Sequence, residues 1–345
     1  MIIVMKPHVT ADQIEDVKQH VIKLGYDPRI IRGVERTVIA CVGDELSHRS
    51  LEALRGMVTI ENVLPIQKRH KLASREFHAA DTVVRIGGRF PLGGPHFQVI
   101  AGPCAVESRD QILQAAGDLV KAGVHVIRAG TYKPRTSPYD FQGLGEEGLD
   151  LLAEVKAQFG VAVITEVVGV AHVKRVAQVA DVLQIGARNC QNYHLLEMVA
   201  DCGRPILLKR GMATTIEEWL SAAEYLLVHG CHEVILCERG IRTFEKATRN
   251  TLDLSAVAVA KEETHLPVVV DPSHAAGLAN LVLPLARAAV AVGADGLLIE
   301  AHPNPVEALS DAAQQLPSGT FGQVMDSLRP LVSLVGKRMN GNGAA

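Results

Sequence analysis

The chain has 345 residues, 48% apolar and 21% charged, which is enough to bury a large core and excludes intrinsic disorder. Lys and Arg number 35 against 38 Asp and Glu, a net charge of −3, and aromatic residues are only 4%, a composition that argues against a nucleic-acid or membrane-surface protein. Six scattered cysteines with no Cys-x-x-Cys, no apolar run long enough to span a membrane and no basic leader point to a cytoplasmic, reducing setting.

Ile2–Lys6 reads as a short strand, and Ala11–Leu24 as a helix with Ile14, Val17, Val21 and Leu24 on one face and Gly25 as its stop. Arg29–Arg32 and Thr37–Gly43 read as strands around Gly33-Val34-Glu35-Arg36. A second short helix at His48–Arg55 and a strand near Met57–Ile66 complete a βαββαβ order, the pattern of a ferredoxin-like fold. Such a unit suits a regulatory or oligomerisation role. Gln67–Asp81 is polar and reads as a linker, and Thr82–Gly94 as a Gly-rich capping hairpin.

From Phe97 the pattern changes to apolar strands alternating with amphipathic helices. The strands are Gln98–Ala101, Val124–Ala129, Val161–Thr165, Val182–Ile185, Pro205–Leu208, Glu233–Leu236, Pro267–Val270 and Gly296–Ile299. Eight strand-helix units predict a parallel (β/α)8 barrel. A doubly wound open sheet is the alternative, but no G-x-G-x-x-G follows any strand. The expected organisation is thus a small ferredoxin-like α+β domain over residues 1–70, a linker and capping hairpin over 71–96, a TIM barrel over 97–338, and a flexible tail over 339–345.

In such barrels the chemistry lies at the C-terminal ends of the strands. Taken in order, the strand exits carry Cys104, Arg128, Glu166, Arg188, Lys209, Arg239, Asp271 with His274, and Glu300 with His302. Four of these are basic, and Lys133 and Arg135 add two more from the second loop. Converging Arg and Lys suit multiply anionic ligands, phosphates and carboxylates above all. Lys133-Pro134-Arg135-Thr136-Ser137-Pro138 is a stiff loop bearing cations and hydroxyls, a credible phosphate cradle. Cys104, His274, Glu300 and Asp311 form a second group, whose mixed S, N and O donors suit Mn2+, Fe2+, Co2+ or Zn2+ rather than Mg2+ or Ca2+.

Several stretches together resemble the 3-deoxy-D-arabino-heptulosonate 7-phosphate (DAHP) synthases. They are AGPCAVES at 101–108, RAGTYKPRTSPYDFQG at 128–143, QIGARNCQN at 184–192, LLKRG at 207–211, ILCERGIRTFE at 235–245, DPSHAAG at 271–277 and EAHPNPVEALSDAAQQL at 300–316. The N-terminal unit resembles the regulatory domain that a subgroup of the family carries. The resemblance implies condensation of phosphoenolpyruvate with erythrose 4-phosphate, the first step of the shikimate pathway. It implies one divalent transition ion per subunit on Cys104, His274, Glu300 and Asp311. Phosphoenolpyruvate would lie on Arg128, Lys133, Arg188, Lys209 and Arg239. Erythrose 4-phosphate would lie along Lys133, Pro134, Arg135, Thr136 and Ser137, with Asp271 near its hydroxyls. Lys133 is the expected proton donor, and Glu166 or His302 the group handling the proton of the attacking water.

The resemblance also implies a homo-oligomer, commonly a tetramer, and raises an aromatic amino acid as an effector at the N-terminal unit. The sister family, 3-deoxy-D-manno-octulosonate 8-phosphate synthase, shares the barrel and the chemistry with arabinose 5-phosphate as substrate. Its second loop is KANRS-like, whereas this chain has KPRTS. Two further alternatives are a non-catalytic metabolite-sensing barrel, which would have lost rim ligands, and a Schiff-base aldolase, for which Lys209 would be the lysine.

Overall fold

A computed structural model of the chain describes residues 1–33, 36–43, 50–64, 70–135 and 137–339. Two compact units divide it, Met1–Arg69 and His70–Ala345.

The first unit has four strands, β1 (Ile2–Met5), β2 (Asp27–Arg32), β3 (Thr37–Val42) and β4 (Ile60–Leu64), and one helix, α1 (Ala11–Lys23). The sheet order is β2-β3-β1-β4, and every pairing in it is antiparallel. This is the ferredoxin-like arrangement that the element order predicts. Helix α1 starts at a capping box: the Thr10 side chain accepts from Gln13 N while the Gln13 side chain accepts from Thr10 N. Ile14, Val17 and Val21 bury one face of it against Ile3, Met5, Ile39 and Val63. The expected second helix differs. His48 and Arg49 lie outside the described residues, and Leu51–Gly56 is a 3-10 helix whose Leu51 and Leu54 reach the same core. Val34 and Glu35 of the expected turn also lie outside the described residues.

In the second unit, residues 70–82 are bound rather than free. Glu224 accepts hydrogen bonds from Leu72 N and Ala73 N, Arg75 Nε donates to Lys261 O, and His265 contacts Thr82 Oγ1 at 2.6 Å and Leu72 O at 2.8 Å. A hairpin of β5 (Val84–Ile86) and β6 (Phe90–Leu92) follows.

The barrel strands are β7 (His96–Gly102), β8 (Val126–Arg128), β9 (Ala162–Glu166), β10 (Val182–Ile185), β11 (Ile206–Lys209), β12 (Val234–Glu238), β13 (Val268–Val270) and β14 (Gly296–His302). They pair in parallel in chain order, and β14 returns to β7 to close the cylinder. The helices between them are α2 (Arg109–Lys121), α3 (Glu146–Phe159), α4 (Val173–Val179), α5 (Tyr193–Ala200), α6 (Ile216–Val228), α7 (Leu254–Glu263), α8 (Pro272–Ala276), α9 (Ala279–Ala291) and α10 (Phe321–Leu334). Strands buried on both faces read as continuous apolar runs, which is why the periodicity locates all eight.

One core lies between strands and helices and includes Trp219, Phe321 and Leu328. The other fills the barrel. There Val84, Ile86 and Leu92 of the hairpin pack on Ile100, Val126, Leu207, Val269 and Leu298, so the hairpin closes the N-terminal end. The opposite end is left for the ligand site. Arg338 and Met339 pair beside His96 and Phe97 of β7, so Met339 belongs to the barrel; the rest of the expected tail, 340–345, lies outside the described residues.

Candidate active site

The strand-exit residues converge on a cavity of about 310 Å³ at the C-terminal end of the barrel. Its wall carries Arg128, Lys133, Arg135, Arg188, Lys209, Arg239, Arg242 and Arg249 against the acids Asp140, Glu166 and Asp311. Opposing carboxylates neutralise only some of these cations. Arg239 is 5% exposed, and its guanidinium reaches only backbone oxygens, Gly240 O at 3.5 Å and His274 O at 3.3 Å. Among the described residues no carboxylate lies within ion-pair distance of it. Burial, with Arg249 nearby, lowers its pKa. A buried cation that Asp271 and Glu238 attract only from beyond contact distance is costly unless an anion comes to it.

Arg128 and Lys209 are the last residues of β8 and β11 and point into the barrel mouth. Arg128 donates through Nη1 to Glu300 Oε1 at 2.8 Å and through Nε to Gln184 Oε1 at 3.0 Å; Gln184 Nε2 then donates to Glu166 Oε2 at 3.0 Å. Gly186 makes room for Glu166, because a Cβ there would lie 2.1 Å from Glu166 Oε1. The exit of β7 is equally tight: a Cβ on Gly102 would lie 2.2 Å from Arg128 O.

Lys209 Nζ sits 2.6 Å from Asp271 Oδ2. Asp271 is fully buried and does not line the cavity. It caps α8 instead: Oδ1 accepts from His274 N at 2.9 Å, Pro272 occupies the first helical position, and Oδ2 is 2.8 Å from His274 Nδ1. Burial raises the Asp271 carboxyl, but His274 and Lys209 outweigh it and hold the group well below the usual carboxylate range. The sequence reading sets Asp271 near the sugar hydroxyls; the structure buries it beside Lys209 and His274, off the cavity wall, where it orients both.

Cys104, His274, Glu300 and Asp311 come together beside the cations. The ligand atoms of Cys104, Glu300 and Asp311 lie within 4.8 Å of one another. His274 Nε2 is 3.4 Å from Glu300 Oε1 and 3.9 Å from Asp311 Oδ2. Cys104 Sγ is 3.3 Å from Asp311 Oδ2, and Lys133 Nζ approaches Sγ to 3.0 Å. Burial and the Glu300 charge push the Cys104 thiol up to about 12, against the pull of Lys133. Burial lowers the His274 imidazole, favouring the neutral ring that a metal needs. For Asp311, burial acts upward, but His274, Arg249 and the Cys104 hydrogen bond hold it down to about 2. One thiol, one imidazole backed by a buried carboxylate, and two carboxylates make a donor set that fits a divalent transition ion. Asp311 has φ 52°, a left-handed backbone that Asp tolerates better than most residues.

The remaining residues named from sequence divide. Lys133, Pro134, Arg135, Glu166 and Arg188 line the cavity. Arg135 donates to Ser310 Oγ at 2.8 Å. Thr136 lies outside the described residues. Ser137 does not line the cavity, and its hydroxyl accepts from Tyr139 N. His302 is also off the wall: its Nε2 is 3.3 Å from Glu107 Oε2 and its Nδ1 accepts from Asn304 N at 3.0 Å. Arg242, Arg249, Asn250, Met212 and Ser310 belong to the wall but were not foreseen. Arg242 lies within the ILCERGIRTFE stretch at 235–245, and the cations Arg239, Arg242 and Arg249 are the signal for it.

Residues 81–333 match the family model described as the DAHP synthetase I family, and residues 1–68 match that of the DAHP synthase ferredoxin-like domain. The chain belongs to the DAHP synthetase I family. Phospho-2-dehydro-3-deoxyheptonate aldolase of Thermotoga maritima is 46% identical over 340 residues, covering 99% of this chain and 100% of that one. The crystal structure of a Thermotoga maritima protein with that name superposes with a TM-score of 0.93 at 46% identity, over 98% of this chain and 99% of the other. 2-Dehydro-3-deoxyphosphooctonate aldolase of Azoarcus sp. (strain BH72) is 35% identical over 262 residues, 70% of this chain and 92% of that protein. Among the described residues no helix is long and apolar enough to cross a membrane.

Proposed function

We propose that this DAHP synthase family enzyme condenses phosphoenolpyruvate with D-erythrose 4-phosphate and water, releasing phosphate, and that it needs one divalent ion (Mn2+, Fe2+, Co2+ or Zn2+) per subunit. The observation that carries this reading is the buried Arg239, with no carboxylate in contact, in a cavity also lined by His274 and Asp311, which Cys104 and Glu300 join from buried positions to complete the donor group. Phosphoenolpyruvate carries a carboxylate and a phosphate on one carbon, so several fixed cations are needed to hold it. Arg128, Lys133, Arg188, Lys209 and Arg239 take that part, and Pro134 with Arg135 faces the phosphate of the sugar. An ion on the four donors supplies Lewis acidity toward an aldehyde oxygen. Lys133, 3.0 Å from Cys104 Sγ, stands beside that oxygen and gives it a proton as the phosphoenolpyruvate C3 attacks the aldehyde carbon. Glu166 faces the same cavity and takes the proton of the water that adds to C2 before phosphate leaves. Bringing two anions into one mouth contributes up to about 7–11 kcal/mol of the barrier reduction.

Consumption of phosphoenolpyruvate with erythrose 4-phosphate, and in parallel with arabinose 5-phosphate, tests the reading. Turnover with erythrose 4-phosphate, lost on chelation and restored by Mn2+, is expected. Preference for arabinose 5-phosphate would place the chain with the octulosonate enzymes instead, and turnover surviving complete metal removal would overturn the metal role. In the same assay millimolar tyrosine or phenylalanine is expected to lower the rate through the ferredoxin-like unit, and an unchanged rate would remove that role.

Gly186→Ala tests Glu166 without touching it. The new Cβ collides with Oε1 and drives the carboxylate off Gln184, so kcat is expected to fall roughly 100-fold with KM for phosphoenolpyruvate little changed. An unaltered kcat would remove Glu166 from the proton step.

A further inference from the structure

The reading of the metal site rests on four donors, but a carboxylate has two oxygens, and something must decide which of them faces the ion. We infer that Arg249 and Gln314 make this choice, acting as positioning residues for Asp311 and Glu300. The inference rests on the metal-dependent reading above.

Arg249 Nη1 lies 3.2 Å from Asp311 Oδ1 and donates to Gln314 Oε1 at 2.9 Å. The same Gln314 donates through Nε2 to Glu300 Oε2 at 2.6 Å. Arg249 thus occupies Asp311 Oδ1, and Gln314 occupies Glu300 Oε2. The other oxygens are those turned to the donors: Asp311 Oδ2 is 3.3 Å from Cys104 Sγ, and Glu300 Oε1 is 3.4 Å from His274 Nε2. Arg128 steadies Glu300 Oε1 from the cavity side at 2.8 Å. Gln314 is 1% exposed, so its amide can be satisfied only by these partners, and its orientation is fixed because Arg249 demands an acceptor and Glu300 a donor.

Arg249 is placed by backbone contacts that lead back to the histidine ligand. Arg249 N donates to Ala276 O, Asn250 N to Ala275 O, and Asn250 Nδ2 to His274 O. Gly277 ends α8 at φ 71°, and a Cβ there would come within 2.6 Å of Arg249 Cβ. The loop after β12 that carries Arg239 and Arg242 is thereby fastened to α8 with His274, and through Arg249 to Asp311. Groups that orient ligands in this way typically govern metal affinity by roughly 10–100-fold.

The full-length protein, stripped of metal and titrated with Co2+ alone, gives the test. Thiolate-to-Co2+ absorption reports Cys104 coordination and the visible bands report geometry. Arg249→Ala and Gln314→Met are each expected to weaken Co2+ binding roughly 10–100-fold and to shift the visible bands. Arg249→Lys should recover part of the affinity, which a merely structural side chain would not do. Arg249 is partly exposed, and an unchanged circular dichroism spectrum for Arg249→Ala separates loss of affinity from loss of fold. Co2+ affinity and bands that stay at wild-type values in both variants would overturn the positioning role. Absence of the thiolate band in the wild-type protein would instead overturn the metal reading itself, and the inference with it.

Discussion

Cys104→Ala is expected to abolish turnover, with kcat down by about three orders of magnitude or more, as follows when about 4 kcal/mol of electrophilic stabilisation is lost. Glu300 is fully buried and Asp311 partly so, their oxygens lie within 4.8 Å of each other and of Cys104 Sγ, and both carboxyls are held below their ordinary range despite that burial. Two ionised carboxylates this close are tolerable where cations surround them, and Arg128, Lys133 and Arg249 do part of that work. A divalent ion bound there would complete it, and the thiol is the donor that makes the site suit a transition ion rather than Mg2+.

The sign of the pH dependence follows. With its pKa pushed up to about 12, the Cys104 thiol holds its proton at neutral pH, so an entering ion must displace it. Binding should release about one proton per ion, and affinity should rise with pH, roughly tenfold per unit, because protons compete less as pH increases. Burial has already lowered the His274 pKa, so the imidazole adds little competition above its ordinary value of 6.5. Proton release followed in weakly buffered Co2+ titrations, with Cys104→Ser alongside, decides the matter. Equal release from both proteins would show that the thiol is not a ligand.

What could be read from sequence divides along a physical line. Strands buried on both faces leave continuous apolar runs, and helices on a barrel leave amphipathic ones, so the eight units and their exits were legible. Helix α8 was not, because Asp271-Pro272-Ser273-His274 reads as a rigid strand-exit loop, although Asp271 caps a short helix there with Pro272 at its first position. The pattern could not tell which way an exit side chain points. His302, at the end of β14, turns to Glu107, and Asp271 sinks beneath the cavity to hold Lys209 and His274. Orientation of this kind is set by partners far away in the chain. The same limit hid Arg249 and Gln314: one comes from an irregular loop and the other from a single 3-10 turn at 312–314, where no period assigns a face, and their pairing spans 65 positions. In the N-terminal unit Leu51–Gly56 carries helix-forming residues but buries only Leu51 and Leu54, and a 3-10 turn suffices for that.

The buried pair of Lys209 and Asp271 yields the second large effect, and it separates stability from activity. Lys209 is 3% exposed and Asp271 0%, with Nζ and Oδ2 2.6 Å apart. Removing one partner of such a pair leaves an uncompensated buried charge, so Asp271→Asn is expected to cost about 3–5 kcal/mol in denaturant unfolding and to abolish turnover. Lys209→Met removes a cavity-lining cation and is expected to raise KM for phosphoenolpyruvate strongly. It should cost less stability than Asp271→Asn, because His274 remains beside the carboxylate. The double variant Lys209→Met with Asp271→Asn is the informative one. With both charges gone the desolvation penalty disappears, and stability is expected to return most of the way to the wild-type value while turnover stays absent. A double variant as unstable as the sum of its parents would mean that the two side chains act independently. Recovery of stability without recovery of activity would mean that the barrel does not need this ion pair to fold. Its presence would then answer to the site: a lysine fixed in place on the wall of an anion cavity, and a histidine ring with Nδ1 beside Asp271 and Nε2 toward Glu300 and Asp311.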